Sequence, residues 1–260
     1  MSKAARERSA RERLAEERRR QAARDKQRKL LAIVIGAVVA VAAVVVVTVI
    51  VMDRQGKSNQ KASAYTGPQA PTSRQADGSI VMAKAGVTAP TLEVFEDFQC
   101  PVCKQFEDST GKTVKQLASE GKVKVVYRPF HLFGQQPDPV KRNSFASANA
   151  ALCVPADKWL SYHDTLYKYQ PEEGTKGFAN KELVNWGKDI GITDPGFDKC
   201  VNDQQKKDQV NSMTSYALDT KKVTGTPTLF LNDQKLDTKD YDSGDAITKA
   251  IEAAGKKTTK

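Results

Sequence analysis

The chain has 260 residues, which is enough for one large domain or two small ones. Hydrophobic residues make up 39% of it and charged residues 28%, a composition that allows a packed core. The net charge of +10 is concentrated at one end: residues 1–29 hold 12 Lys and Arg against 5 Asp and Glu, so the other 231 residues carry only +3. A basic binding face is therefore not expected, and we predict no nucleic-acid partner.

The apolar segment 30–52 follows this basic arm at 1–29 and contains 23 residues without a charged side chain. At a rise of 1.5 Å per residue, a helix of this length crosses a hydrocarbon core roughly 30 Å thick. We therefore predict a transmembrane helix at 30–52. A cleaved signal peptide is the alternative, although the cleavage-like residues 62–64 lie ten positions beyond the apolar segment.

Positive charge is much denser before the apolar segment than after it. The positive-inside tendency then places the N-terminus in the cytoplasm, so that the protein is a single-pass protein of the cell membrane with its larger part extracytoplasmic. The basic arm is interpreted as a topology determinant that also contacts anionic lipid headgroups.

All four cysteines lie on the predicted outer side of the membrane, at Cys100, Cys103, Cys153 and Cys200. An even number of cysteines in an exported domain is typical of disulfide chemistry, whereas in a cytosolic enzyme it would suggest a metal site. We predict no bound metal and no cofactor.

The segment 53–79 is rich in Gly, Pro and Ser and is predicted to be a flexible linker. The folded domain is predicted at 80–258. Its first part combines a strand at Thr91–Phe98, a helix that begins at the first cysteines, and a β-branched strand near Val123–Tyr127. A helical pattern then covers about 139–219, before a further strand that begins after Pro227.

The sequence Cys100-Pro101-Val102-Cys103 stands between this strand and this helix. Pro101 suits the first turn of a helix, where no backbone N–H is needed. A thiol at a helix N-terminus faces unpaired N–H groups and the positive end of the helix dipole, so Cys100 is predicted to have a lowered pKa and to be the nucleophile. Cys103 lies one turn further on, where it can attack a mixed disulfide.

A zinc site, a haem attachment site and a purely structural disulfide are the other interpretations of the two cysteines. A zinc site requires two further ligands at suitable spacing, but Cys153 and Cys200 are isolated in the sequence. Haem attachment requires a histidine directly after the second cysteine, and Lys104 occupies that position. A purely structural disulfide has no need of a position between a strand and a helix, so a redox pair is favoured.

The segment Phe95-Glu96-Asp97-Phe98-Gln99-Cys100-Pro101-Val102-Cys103 and the later Gly225-Thr226-Pro227-Thr228 resemble the two signatures of the DsbA branch of the thioredoxin superfamily. The resemblance covers roughly residues 80–255. It implies an α/β thioredoxin fold with a helical insertion, here preceded by one transmembrane helix. It also implies that Pro227 is a cis-proline opposite the cysteines, with the Thr226 backbone ready to pair with an extended substrate peptide. A trans turn proline is the alternative.

Two positions depart from the pattern of that branch. Members of the superfamily often bury an acidic residue six positions before the first cysteine, as a proton acceptor for the inner thiol, and Val94 occupies that position here. Strand alternation turns Glu93 to the other face, so Glu96 is the candidate proton acceptor, unless it is an exposed carboxylate at the strand end. Strongly oxidising members tend to carry His where this chain has Val102, which predicts a less depressed Cys100 pKa and a milder oxidant.

Cys153 and Cys200 are predicted to form a structural disulfide that closes a loop of about 48 residues, worth roughly 3–4 kcal/mol. The alternative is a second redox pair that exchanges electrons with Cys100.

Taken together, the sequence predicts a protein disulfide oxidoreductase that introduces disulfides into exported proteins with free thiols. By resemblance, its membrane redox partner would be DsbB-like or VKOR-like. A reductase or isomerase of the same fold is one alternative, and a non-enzymatic membrane-anchored peptide-binding module is another.

Overall fold

The computed structural model describes residues 60–258. The basic arm predicted at 1–29 and the transmembrane helix predicted at 30–52 lie outside these residues. Within 60–258, no helix is both long and apolar enough to cross a membrane.

One mixed sheet of six strands forms the centre of the described domain, in the order β1-β2-β4-β3-β5-β6. The central strands β3 and β4 are parallel, and every other neighbouring pair is antiparallel. Strand β3 is buried along nearly its whole length, as expected for a central strand that is covered on both faces. The strands are β1 (Thr72–Arg74), β2 (Ile80–Met82), β3 (Thr91–Glu96), β4 (Lys124–Pro129), β5 (Thr228–Leu231) and β6 (Gln234–Lys235).

Eight α-helices surround this sheet in the described part of the chain. Between β3 and β4 the chain forms α1 and α2, which are joined by a π-helical turn at Glu107–Gly111. Helices α3 to α7, with a second π-helical turn at Tyr216–Thr220, fill the range in which the sequence predicts the helical insertion. The helices are α1 (Pro101–Phe106), α2 (Lys112–Ser119), α3 (Val140–Cys153), α4 (Ala156–Lys168), α5 (Asn180–Asp189), α6 (Pro195–Asn202), α7 (Lys207–Ser215) and α8 (Gly244–Thr258).

This arrangement confirms the predicted thioredoxin fold with inserted helices. A strand–helix–strand unit carries the cysteine pair, a helical block follows, and β5 begins directly after Pro227. Pro227 is outside the strand because it has no N–H to donate to a neighbouring strand.

The predicted linker boundary at 79 is wrong. The compact unit that contains the domain begins at Lys61, and β1, which lies inside the supposed linker, pairs antiparallel with β2 of the sheet. The Arg74 guanidinium also donates hydrogen bonds to the carbonyls of Ala151 and Val154, at 3.1 and 2.7 Å. This segment is held by backbone and polar contacts, which a search for apolar periodicity does not detect. The part of the predicted linker at 53–59 lies outside the described residues.

Two hydrophobic clusters cover the two faces of the sheet. Alternation along β3 sends Leu92 and Val94 into the larger cluster, which includes Trp159 of α4 and Ile247 of α8. Phe95 points to the opposite face. The C-terminal half of β3 is therefore packed on both faces of the sheet, and the cysteine pair follows shortly after this strand.

Candidate active site

Cys100 is the N-cap residue of α1, with an extended backbone (φ −78°, ψ 119°), and Pro101 is the first residue of the helix. The Cys100 N–H donates to the carbonyl of Asp97 at 2.9 Å, which fixes the turn between β3 and α1. The Cys100 sulfur thus lies where the N–H groups of the first helical turn have no partner within the helix. The local sequence explains this geometry, because an X-Pro pair disfavours helical backbone before the proline and permits it afterwards.

The two thiols have opposite pKa shifts. A hydrogen bond from the Cys103 thiol, together with the N–H groups of Val102 and Cys103, lowers the pKa of Cys100 to about 6 against the opposing effect of burial. Burial raises the pKa of Cys103 well above its usual value, and so does the neighbouring Cys100 sulfur. Near neutral pH the pair therefore holds one thiolate at Cys100 and one thiol at Cys103, as an attacking and a resolving thiol require.

The loop before β5 closes the other side of Cys100. The Thr226–Pro227 peptide bond is cis, as the resemblance implies, and the Cys100 thiol lies 3.4 Å from the carbonyl oxygen of Thr226. The predicted placement of the Thr226 backbone beside Cys100 is therefore observed.

A groove of about 480 Å³ begins beside the cysteine pair and runs along this loop. Its apolar lining includes Val102, Phe106, Pro227, Leu236 and Tyr241. Val102 is one of the few large hydrophobic side chains that the described domain exposes, at 55% of its surface. An apolar groove next to an accessible backbone segment suits an extended peptide with a hydrophobic side chain.

Glu96 is fully buried, so the alternative of an exposed strand-end carboxylate is wrong. Its Oε1 lies 2.9 Å from His163 Nε2, and its Oε2 accepts a hydrogen bond from the Tyr167 hydroxyl at 3.1 Å. Glu93 does turn to the opposite face, where it pairs with Arg128 at 2.7 Å. The role of Glu96 as a proton acceptor stays a prediction.

Glu96 belongs to a cluster of largely buried charged groups that also includes His163, Lys115, Glu107 and Asp164. Lys115 of α2 pairs with Asp164 at 2.7 Å and with Glu107 at 3.4 Å. Burial alone would lower the pKa of His163, but the charges of Glu96 and Glu107 raise it to about 10.

The side chains of Glu96, Glu107 and His163 approach one another closely enough to be considered as metal ligands. A protonated imidazole does not coordinate a metal, however, and Lys115 already supplies positive charge to the cluster. The chemistry of these side chains fits ion pairing better than metal binding.

Asp97 is the residue of the site that sequence reasoning missed. Its carboxyl is fully buried beside the cysteines and accepts hydrogen bonds from the N–H groups of Gln99 and Leu132, at 2.8 and 2.9 Å, and from the Ser144 hydroxyl. Burial nevertheless raises its pKa to about 7, and the Cys100 charge contributes to the shift. In the sequence, Asp97 lies between a strand expected to be buried and the CxxC motif. A charged residue is rarely buried without a partner, so this position could have indicated a functional carboxyl.

Cys153 and Cys200 form a disulfide inside the helical insertion. The bond joins the C-terminal end of α3 to α6. This pairing agrees with the predicted one. Cys200 is buried and Cys153 is partly buried, and neither stands at the N-terminus of a helix.

Comparison with known proteins places the chain in a family. The family model described as Thioredoxin matches residues 85–253, which is more than half of the chain. A curated relative from Rickettsia bellii, named "Putative protein-disulfide oxidoreductase", is 25% identical over 160 residues, or 61% of this chain. The match spans 59% of that relative's own length.

Solved structures with the same fold include the reduced form of the disulfide bond oxidoreductase DsbG from Mycobacterium tuberculosis. It is 25% identical, with a TM-score of 0.56 and coverage of 66% of this chain and 82% of that one. Oxidised BdbD from Bacillus subtilis is 23% identical, with a TM-score of 0.58 and coverage of 74% and 100%. The chain therefore belongs to the thioredoxin family and is similar in fold to the DsbA-like oxidoreductases.

Proposed function

We propose that this protein is a thiol–disulfide oxidoreductase that introduces disulfides into exported proteins through Cys100 and Cys103. The observation that carries the proposal is the opposite pKa shifts of the two thiols at the N-terminus of α1, beside the Thr226 carbonyl. The similarity to proteins named as disulfide oxidoreductases supports the same activity.

The reaction begins when a substrate thiolate attacks the Cys100 sulfur of the oxidised protein. The Cys100–Cys103 bond breaks, a mixed disulfide forms between the substrate and Cys100, and Cys103 leaves and takes up a proton. A second thiolate of the substrate then attacks the mixed disulfide and releases Cys100 as a thiolate. The substrate has lost two electrons and gained a disulfide, and the protein has become a dithiol.

The Cys100 pKa favours this direction. With a pKa of about 6, Cys100 carries about ten thiolates for each thiol at pH 7. Compared with an ordinary cysteine pKa of about 8.5, this stabilises the dithiol form by about 1.4 kcal/mol, or about 30 mV. That contribution is smaller than in DsbA, whose cysteine has a pKa of about 3.5. It supports a mild oxidant, in line with Val102 in place of His.

The cellular arrangement forms part of the proposal. The protein is anchored in the cell membrane by the segment 30–52, with its catalytic domain outside the cytoplasm. A DsbB-like or VKOR-like membrane protein reoxidises Cys100 and Cys103, and the anchor raises the effective concentration of that partner.

Oxidative refolding tests this function. The oxidised full chain is added to a reduced, unfolded secretory protein that needs disulfides for activity, and the recovery of that activity is followed with time. We expect recovery with the unaltered chain and none with Cys100→Ser. The matched variant Cys103→Ser should instead accumulate a mixed disulfide with the substrate after preloading with a small disulfide. Equal recovery with and without Cys100 would contradict the proposal and favour a peptide-binding role.

A further inference from the structure

A row of two hydrogen bonds through Ser144 of α3 connects the buried Asp97, close to the cysteine pair in the chain, with the partly buried His131. The Ser144 hydroxyl of α3 donates to Asp97 Oδ2 at 2.5 Å. On its other side, the same hydroxyl oxygen lies 2.7 Å from Nδ1 of His131. Asp97 and Ser144 are fully buried, whereas His131, which follows β4, is only partly buried.

The direction of these bonds follows from the chemistry of the three groups. A serine hydroxyl has one proton to donate, and an ionised carboxylate can only accept. When Asp97 is ionised, Ser144 therefore donates to it, and Nδ1 of His131 must carry the proton that it shares with Ser144. Both hydrogen bonds then point inward, from His131 towards Asp97, which is the orientation needed to deliver a proton to the carboxylate.

The residue at the inner end of this row, Asp97, contacts both cysteines through its backbone. The carbonyl of Asp97 accepts the Cys100 N–H at 2.9 Å. The Asp97 backbone N–H donates to Cys103, which only partly offsets the burial that raises the pKa of this thiol. The carboxyl itself is close enough to feel the Cys100 charge. The titratable groups around the Asp97 carboxyl are Cys100, Cys103 and Tyr167 of α4. At the outer end of the row, His131 bonds to Ser144 and lies near the charge of Lys141 of α3.

We propose that Asp97, Ser144 and His131 form a proton relay for the resolving thiol Cys103, with Asp97 holding the proton and His131 exchanging it with solvent. The inference rests on the proposed thiol–disulfide exchange but not on its direction, because Cys103 must gain or lose one proton in either direction.

The proton reaches Cys103 as its disulfide bond breaks. The substrate thiolate attacks Cys100, the Cys100–Cys103 bond breaks, and its electron pair goes to Cys103. The Asp97 carboxyl gives its proton to the Cys103 sulfur. The Ser144 hydroxyl proton then moves to Asp97 while the Nδ1 proton of His131 moves to Ser144, and water supplies a proton to Nε2 of His131.

The rate of reduction of the oxidised full chain by dithiothreitol tests this relay between pH 6 and pH 8. The rate constant is expressed per dithiothreitol thiolate, so that the titration of the reductant is removed. Because protonated Asp97 is the acid and its pKa is about 7 in the dithiol form, the rate per thiolate should fall at least about tenfold across this range. The oxidised form lacks the Cys100 charge that helps to raise the Asp97 pKa. The midpoint of the pH profile of the rate should therefore lie at or somewhat below pH 7.

Three variants break the relay at different points. Asp97→Asn should be slower at pH 6 by at least about tenfold and should lose the pH dependence. Ser144→Ala should slow the same reaction, whereas Ser147→Ala should not. Ser147 is the matched control because it is equally buried on the same helix, but its hydroxyl donates only to the carbonyls of Asn143 and Ser144. Thermal unfolding checks that each variant is folded.

His131→Ala provides the sharpest test of the outer end. It should slow reduction at least about threefold, and added imidazole should restore the rate, which a merely structural role of His131 would not produce. A pH profile that persists in Asp97→Asn, or equal rates for Ser144→Ala and Ser147→Ala, would overturn the relay while leaving the proposed function intact. Failure of the unaltered chain to react with dithiothreitol at all would overturn both.

Discussion

Replacement of Val102 by histidine should make the protein a stronger oxidant. Val102 lies directly before Cys103, with 55% of its surface exposed, so an imidazole fits there without displacing the core. A protonated imidazole next to the Cys100 sulfur adds a positive charge and a hydrogen-bond donor, both of which stabilise the thiolate. Because the position is half exposed, solvent screens the charge, and we expect a decrease of only about one unit in the Cys100 pKa.

The expected shift in potential follows from this decrease. If the Cys100 pKa falls from about 6 to about 5, the dithiol form gains about 1.3 kcal/mol at pH 7, which raises the reduction potential by about 30 mV. A lowered thiol pKa stabilises the dithiol form only where the thiolate is populated, so the gain should be present at pH 7 and disappear as the pH falls below about 5.

Two measurements on one preparation check this prediction. The absorbance of the thiolate at 240 nm, followed against pH, gives the Cys100 pKa, and equilibration with glutathione buffers gives the potential. Val102→Gln is the control, because it adds a polar side chain without a charge and should shift both quantities much less. A lower Cys100 pKa with an unchanged or decreased potential would refute the reasoning that the thiolate sets the oxidising strength of this site.

Further predictions concern stability and the buried cluster. Replacing both Cys153 and Cys200 by Ser should cost roughly 3–4 kcal/mol and lower the melting temperature by about 6–16 °C, without changing the thiolate absorbance of Cys100; an unchanged melting temperature would contradict a structural role. His163→Gln leaves the buried Glu96 carboxyl without its imidazolium partner and should cost about 3–5 kcal/mol in urea unfolding. Since the His163 pKa is raised to about 10, its contribution is fully present below about pH 6.5 and is lost as the pH rises through 10. The unaltered chain should therefore lose stability more steeply than His163→Gln between pH 7 and pH 10, and parallel curves would contradict this assignment.

The parts of the site that the sequence could predict are those encoded by neighbouring residues. The order strand, Cys100, Pro101, helix is local, because the proline determines where the helix begins. The position of Pro227 before β5 follows in the same way from its missing N–H. The pairing of Cys153 with Cys200 needed only the count of cysteines that remained.

The parts that could not be predicted depend on distant contacts. The ion pair of Glu96 joins β3 to a histidine 67 positions away on α4, and no periodicity reports such a pair. The burial of Asp97 was not predicted, because strand alternation indicates which side chains are buried only within a strand, and β3 ends at Glu96. Its burial depends on Ser144 and on the backbone after β4, neither of which is adjacent in sequence. Strand β1 was missed because polar contacts with the inserted helices hold it in place.

The equilibrium reduction potential of the Cys100–Cys103 pair tests the proposed oxidase function most directly. The full chain is equilibrated in glutathione buffers at pH 7, with Cys153 and Cys200 followed separately by mass mapping. The proposed oxidase function predicts a value between about −100 and −180 mV, in the range of DsbA and protein disulfide isomerase. The lowered Cys100 pKa accounts for about 30 mV of this. A value near or below about −250 mV, close to that of thioredoxin, would contradict the oxidase function and assign the same site to a reductase.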